Sequence, residues 1–189
     1  MFAHFLPSSV AEIQDVGAIT LLETIQRRTV EVPFQQGITA VLTAYVHFAP
    51  HLSCFPDTPP ILLLHGFDSS LLEFRRLLPL LAGSRDVWAI DLFGSGFTEH
   101  PTPISVNPGS IRQHLLSIVE TWIGEPIVLV GASLGGAVAI DFTLHHPHWV
   151  RSLALIDSVG FSGSFPVGQF LPQGLIDLGA DWLYFRKRA

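Results

Sequence analysis

Four short, unbroken apolar runs punctuate the middle of the chain: Ile61-Leu62-Leu63-Leu64, Val87-Trp88-Ala89-Ile90, Ile127-Val128-Leu129-Val130 and Leu153-Ala154-Leu155-Ile156. Runs of this length without polar alternation suit strands buried on both faces of a parallel sheet. Between them the apolar spacing changes to a helical period over residues 70–81, 108–123 and 134–145. Asn107 followed by Pro108 offers the second of these helices an N-cap and a first-turn proline. Strands alternating with helices through short connections predict a doubly wound, mostly parallel α/β sheet. Upstream, residues 18–27 read as a short amphipathic helix. Residues 29–33 and 38–48 read as two strands joined by the turn Gln35-Gln36-Gly37; the second alternates only partly, as an edge pair with one wet face would. Residues 49–59, with three prolines and Cys54, read as a loop. After Asp157 the alternation stops. Residues 159–172 are rich in Gly, Ser, Phe and Pro, and residues 173–187 fit one last helix.

Composition narrows the class. Hydrophobic residues make up 48% of the 189, and mean hydropathy is +0.44, so either a membrane is involved or many strands are buried on both faces. A spanning helix needs roughly 18 or more consecutive apolar residues. The nearest stretch, residues 126–142, is broken by Ser133, three glycines and Asp141, so no span is expected. The N-terminus lacks a basic start before an apolar run, and Glu12, Asp15 and Glu23 disfavour a transit peptide. A single cysteine, Cys54, precludes an internal disulfide and fits a reducing compartment. A formal net charge of −6 disfavours nucleic acid as a partner. The expectation is a cytoplasmic globular protein of one domain.

The candidate chemistry sits at the third apolar run. Gly131-Ala132-Ser133-Leu134-Gly135 is a G-x-S-x-G sequence with a strand before it and an Ala/Gly-rich helix after it. That context is what a nucleophile elbow requires: a sharp strand-to-helix turn that holds the serine in strained geometry with its hydroxyl exposed. Glycines flank it because side chains there would meet neighbouring backbone. Ser133 is expected at the C-terminal edge of the sheet with a positive φ, and the helix N-terminus favours an anion formed beside it. Two other segments follow strands: Leu64-His65-Gly66-Phe67, and Asp91-Leu92-Phe93-Gly94-Ser95-Gly96-Phe97-Thr98.

With these three motifs in this order, residues 30–160 resemble the α/β-hydrolase superfamily, and within it the esterase, C–C hydrolase and epoxide-hydrolase-like group. The resemblance implies Ser133 as nucleophile, with the backbone N–H groups of Phe67 and Leu134 forming an oxyanion hole. His65 is then a structural residue beside the hole, and Asp91 with the Gly94/Gly96 loop is turn chemistry. Serine rather than aspartate at the elbow argues against the dehalogenase and epoxide hydrolase branches, whose mechanism needs a carboxylate nucleophile. The implied fold is a sheet of the α/β-hydrolase type with its last strands missing. Residues 1–28 form an N-terminal extension, 29–158 a core of six strands, and 159–189 the start of a cap or a tail.

A serine hydroxyl needs a neighbouring base, and in this fold the partners follow as Ser, then Asp or Glu, then His. After Ser133 the histidines are His145, His146 and His148. The first two fall at the far end of the expected helix, roughly 16 Å away at about 1.5 Å per residue. His148 precedes the last strand at the opposite sheet edge. His100 is a weaker alternative at the site mouth. Asp157 ends the last strand at the correct edge and is a possible triad acid; the alternative is a hydrogen-bonded strand-end residue. Asp177 and Asp181 read as solvated residues of the final helix.

Three readings stand. One is a serine hydrolase acting on an ester or related acyl compound through an acyl-enzyme, here without its histidine. Another is a hydrolase of a carbon–carbon bond in a diketone-like compound using the same serine. The third is a catalytically silent binding module. The aromatic residues Phe161, Phe165, Phe170, Trp182 and Phe185, with Leu171, suggest a small hydrophobic substrate or serve equally as core. No cofactor is implied: the sequence has no metal-ligand cluster, and Gly94 and Gly96 lack the spacing of a dinucleotide site.

Overall fold

The computed structural model describes residues 2–49 and 58–159. The chain divides into two compact units, Met1–Ser158 and Val159–Ala189, and every element below belongs to the first. The expected last helix, the aromatic residues after 160, Asp177, Asp181 and Cys54 lie outside the described residues.

Strand β1 (Gln26–Phe34) and strand β2 (Gly37–Phe48) form an antiparallel hairpin closed by the pair Phe34 and Gly37. Gly37 takes a φ of 125°, open to glycine and costly for other residues. The four apolar runs become β3 (Ile61–Leu64), β4 (Val87–Ile90), β5 (Ile127–Ala132) and β6 (Val150–Ile156). The sheet order is β1-β2-β4-β3-β5-β6. Strands β4, β3, β5 and β6 are mutually parallel, and β2 runs antiparallel to β4. The result is the doubly wound, mostly parallel sheet that the hydrophobic pattern predicts.

Alternate residues of each central strand feed opposite faces, which explains why both must be apolar. Leu62, Leu64, Trp88, Ile90, Ile127 and Leu129 pack with Leu115 and Ile118 of α3 (Pro108–Ile118) and with Ala139 and Phe142 of α4 (Leu134–His145). Ile61, Leu63, Val87 and Ala89 pack on the other face, against Leu21 of α1 (Val16–Thr24), Ile25 just beyond it, and Leu71, Phe74 and Leu78. Each fully buried Leu or Ile contributes about 1.5–3 kcal/mol relative to exposure.

Local boundaries differ from the sequence reading for identifiable reasons. Helix α1 begins two residues earlier than expected, because the Asp15 carboxylate caps it by accepting the Ala18 N–H at 2.9 Å. It ends at Thr24, which frees Gln26–Thr29 to pair with Leu42–Tyr45. The helix expected over 70–81 splits into a 3-10 turn, Leu71–Phe74, and the short α2, Leu78–Leu81. Pro79 has no N–H to donate to a carbonyl one turn back, so a continuous helix cannot pass through it. The expected cap at Asn107 forms as a reciprocal pair: the Asn107 side chain accepts the Ser110 N–H, and the Ser110 hydroxyl accepts the Asn107 N–H. Beyond α3 the chain continues as a π turn, Val119–Ile123, ended by left-handed Gly124.

Candidate active site

In the strand order, β3 lies between β4 and β5, so the connections leaving β3 and β5 diverge to opposite faces. The crevice beyond the C-terminal ends of such strands is where open α/β sheets place their ligands. The two loops that meet there are His65-Gly66-Phe67 and the β5–α4 junction. They are in close contact: a Cβ built on Gly66 would lie 3.2 Å from the Ser133 Cβ.

Ser133 links β5 to α4 with φ 49° and ψ −114°, a conformation that costs a non-glycine residue about 1–3 kcal/mol and persists only where its surroundings enforce it. The enforcement is visible. The Ser133 N–H donates to the Ile156 carbonyl of β6 at 3.0 Å, and its carbonyl accepts from Gly136 at 3.0 Å. A side chain on Gly135 would sit 2.2 Å from the Leu64 carbonyl oxygen, and one on Gly131 would sit 2.3 Å from the Gly135 carbonyl oxygen. Only glycines let α4 approach β3 and β5 this closely. The serine is half-buried, and its hydroxyl makes no hydrogen bond to any described residue.

The Phe67 and Leu134 N–H groups, expected as oxyanion donors, also find no acceptor among the described residues. Leu134 opens α4, where the first N–H groups have no intrahelical partner. Phe67 itself is 56% exposed. The Gly66 N–H donates to the Glu73 carboxylate at 2.8 Å. Glu73 had no signal in the sequence, because nothing in local spacing reveals that a residue in the 3-10 turn reaches back to this loop.

His65 is buried and fully engaged. Its Nδ1 faces the Gly66 carbonyl oxygen at 2.8 Å and must donate, while its Nε2 accepts the Leu92 N–H at 3.1 Å. Both ring nitrogens of a neutral imidazole are thereby used, so His65 holds loops together. Asp91, also fully buried, accepts the N–H groups of Leu71 and Phe97 at 2.6 Å each. Burial outweighs these two bonds and pushes the Asp91 carboxyl up to about 7. Gly96, with φ 56°, is required beside it, since a Cβ there would overlap the carboxylate.

The other histidines are held elsewhere. His100 donates from Nε2 to the Ile104 carbonyl and meets Phe93 edge-on. His114 is buried on α3 with Nε2 2.7 Å from the Thr43 hydroxyl, and burial holds it down to about 3. His145 and His146 lie at the C-terminal end of the twelve-residue α4, roughly 17 Å from Ser133 at about 1.5 Å per residue. His148 lies before β6, at the edge away from the crevice. Asp157 stands one residue beyond Ile156, whose carbonyl receives the Ser133 N–H, so it shares the serine's sheet edge. It is exposed with φ 45°, and its carboxylate has no partner among the described residues. No group of described residues could hold a metal ion, and no described helix is long and apolar enough to cross a membrane.

This architecture is that of the α/β hydrolases, and the chain belongs to the α/β hydrolase fold family, whose sequence profile matches residues 59–187. It is 36% identical over 185 residues to the alpha/beta hydrolase domain-containing protein VTE7 of Arabidopsis thaliana, a match that covers 96% of this chain and 54% of that protein. It is 29% identical over 162 residues to a (lyso)-N-acylphosphatidylethanolamine lipase of Bos taurus, covering 82% of this chain and 44% of the lipase. Among solved structures, a meta-cleavage product hydrolase from Pseudomonas fluorescens superposes with a TM-score of 0.59 at 25% identity, over 70% of this chain and 45% of the other. The chain thus spans about half the length of these relatives.

Proposed function

We propose that the chain carries the nucleophile half of a serine hydrolase that cleaves an ester or related acyl compound, with a small hydrophobic substrate and a cytoplasmic location. The observation that carries this reading is the strained Ser133, followed by Leu134 and beside Gly66, with the Leu134 and Phe67 N–H groups meeting no acceptor among the described residues. In the reaction, the Ser133 Oγ bonds to the acyl carbon while its proton passes to a base. The carbonyl oxygen takes the negative charge, and the Phe67 and Leu134 N–H groups stabilise it. Removing one such donor typically costs a factor of about 10² to 10³ in rate. The C–O bond then breaks, the alcohol leaves with the proton, and water releases the acid from the acyl-enzyme. No described residue supplies the base, and Asp157 remains the candidate acid.

A second reading uses the same serine on a carbon–carbon bond of a diketone-like compound, and the likeness to the meta-cleavage product hydrolase favours it. Labelling with an alkyl fluorophosphonate, followed by peptide mass spectrometry, tests what both share. With no base among the described residues the adduct should form slowly, under excess reagent, and is expected to map to Ser133 and to be absent in Ser133→Ala. Turnover of a short acyl ester should stay within the roughly 10³ to 10⁴ fold over water that an oxyanion hole and binding supply without a base. An adduct elsewhere, or none even on prolonged exposure to excess reagent, overturns the serine reading and favours a catalytically silent module.

A further inference from the structure

We propose that Glu73 is a positioning residue whose carboxylate, by taking the Gly66 N–H, aims the next N–H along the chain, that of Phe67, at the acyl oxygen on Ser133. This rests on the reading of Ser133 and Phe67 given above.

Glu73 Oε2 accepts the Gly66 N–H at 2.8 Å, and no described residue offers Glu73 another bond. Gly66 carries no side chain, Phe67 is mostly exposed, and Asp68 takes a left-handed φ of 57°. A peptide plane next to a glycine rotates at little cost. Turning the 66–67 peptide would swing the Phe67 N–H out of the crevice. Upstream, the His65 ring holds the Gly66 carbonyl at 2.8 Å. Glu73 holds the Gly66 nitrogen. Together the two contacts clamp the peptide units on either side of Gly66, leaving one orientation for the Phe67 N–H.

Glu73 itself is well placed for this role. Its 3-10 turn is fixed at the start by Asp91 on the Leu71 N–H at 2.6 Å and by the Ser70 hydroxyl on the Leu72 N–H. Beyond its end, Arg75 Nε lies 3.2 Å from the Asp15 carboxylate of the α1 cap. Phe74 and Leu71 are buried in the core. The turn that bears Glu73 is therefore anchored at both ends.

The carboxylate also lies at the site. Glu73 Oε2 and Ser133 Cβ stand 3.4 Å and 3.2 Å from the point a Gly66 Cβ would occupy. A negative charge so near a developing oxyanion opposes it, so only the acceptor geometry accounts for a benefit from Glu73. This separates two variants. Glu73→Gln keeps an acceptor for Gly66 and removes the charge, whereas Glu73→Ala removes both.

The test is the rate of Ser133 phosphonylation by the fluorophosphonate, whose phosphoryl oxygen occupies the oxyanion position, read beside amide hydrogen exchange at Gly66. Glu73→Ala should slow labelling about tenfold, part of the loss expected when a whole donor is removed. It should also speed exchange at the Gly66 amide while Leu62–Leu64 stay protected. Glu73→Gln should label as fast as wild type or faster. Equal labelling in wild type and Glu73→Ala overturns the positioning role alone, with the serine reading intact. Slowing in Glu73→Ala that Glu73→Gln shares to the same degree, alongside equal losses of urea stability, assigns Glu73 a merely structural role and also overturns it. A wild type that labels no faster than Ser133→Ala removes the serine reading, and this inference falls with it.

Discussion

At the scale of single residues, two buried groups, Asp91 and His114, titrate in opposing senses. Asp91 is pushed up to about 7 by burial. Between its ordinary value near 4 and that point, the folded chain holds a proton that the unfolded chain has released. Asp91 therefore favours folding most in acid, and this contribution is lost as pH rises through 7. His114 is held down to about 3. The unfolded chain protonates it below about 6.5 while the folded chain does not, so its contribution is present above 6.5 and lost as pH falls toward 3. In Asp91→Asn only the histidine's slope survives. Wild type should therefore gain stability relative to Asp91→Asn as pH falls from 7 to about 4.5, by up to about 1 kcal/mol per pH unit. At pH 7 and above, Asp91→Asn still loses one acceptor. An amide offers one oxygen where the carboxylate serves both Leu71 and Phe97, and an unmet buried N–H costs about 1–3 kcal/mol. Urea midpoints across this range decide the matter; a pH-independent difference between the two proteins would contradict it.

At the scale of elements, the central strands were legible because burial on both faces leaves a mark that needs no partner to read: four consecutive apolar residues at 61–64 and again at 87–90. The polar start of β1 was not legible, since Gln26, Arg27 and Arg28 are held by ladder bonds to β2. The break at Pro79 was readable in principle, whereas the π turn after α3 has no sequence signal. Of the candidate site, the elbow was legible because its glycines and serine are adjacent in sequence. The engagement of His65 with Leu92, of Asp91 with Leu71 and of Glu73 with Gly66 joins separate segments, and single-sequence spacing carries no record of it. The elbow glycines give a direct contrast in kind. Gly135→Ala must displace α4 from backbone carbonyls that cannot yield, and should cost at least the roughly 1–3 kcal/mol of an overpacked core. Gly83 lies after α2 with nothing within 4 Å of an added Cβ. Gly83→Ala should be neutral or stabilising by up to about 1 kcal/mol. Thermal melts of the two variants side by side check this, and a Gly135→Ala protein melting with wild type would show that α4 has slack at the elbow.

At the scale of the whole molecule, the described residues cover the sheet unevenly. Its centre is sealed on both faces, but β6 pairs only with β5 among the described residues, and most of its residues are exposed. Leu153 is 37% and Ile156 45% exposed, and Val128 and Val130 of the neighbouring β5 are only partly buried. A strand with an open row of N–H and C=O groups and apolar side chains is a template for pairing with another chain. Apolar strand surface beside it adds to the drive for association. Beyond its own strand, β6 supports the crevice, because the Ile156 carbonyl holds the Ser133 N–H and Asp157 follows directly. The 189-residue chain is expected to self-associate at micromolar concentration, in the range where exposed strand edges drive aggregation. Leu153→Lys places a charge on the exposed strand without touching the elbow, and should shift the chain toward monomer while leaving Ser133 phosphonylation within about twofold of wild type, as a surface charge remote from the reacting atoms would. Sedimentation velocity across a concentration series, with a urea melt at each end, reads the outcome. A wild-type chain that stays a monodisperse monomer at about 50 μM, well within the concentrations at which such edges aggregate, and unfolds in one cooperative step would show that the β6 edge is not a pairing template.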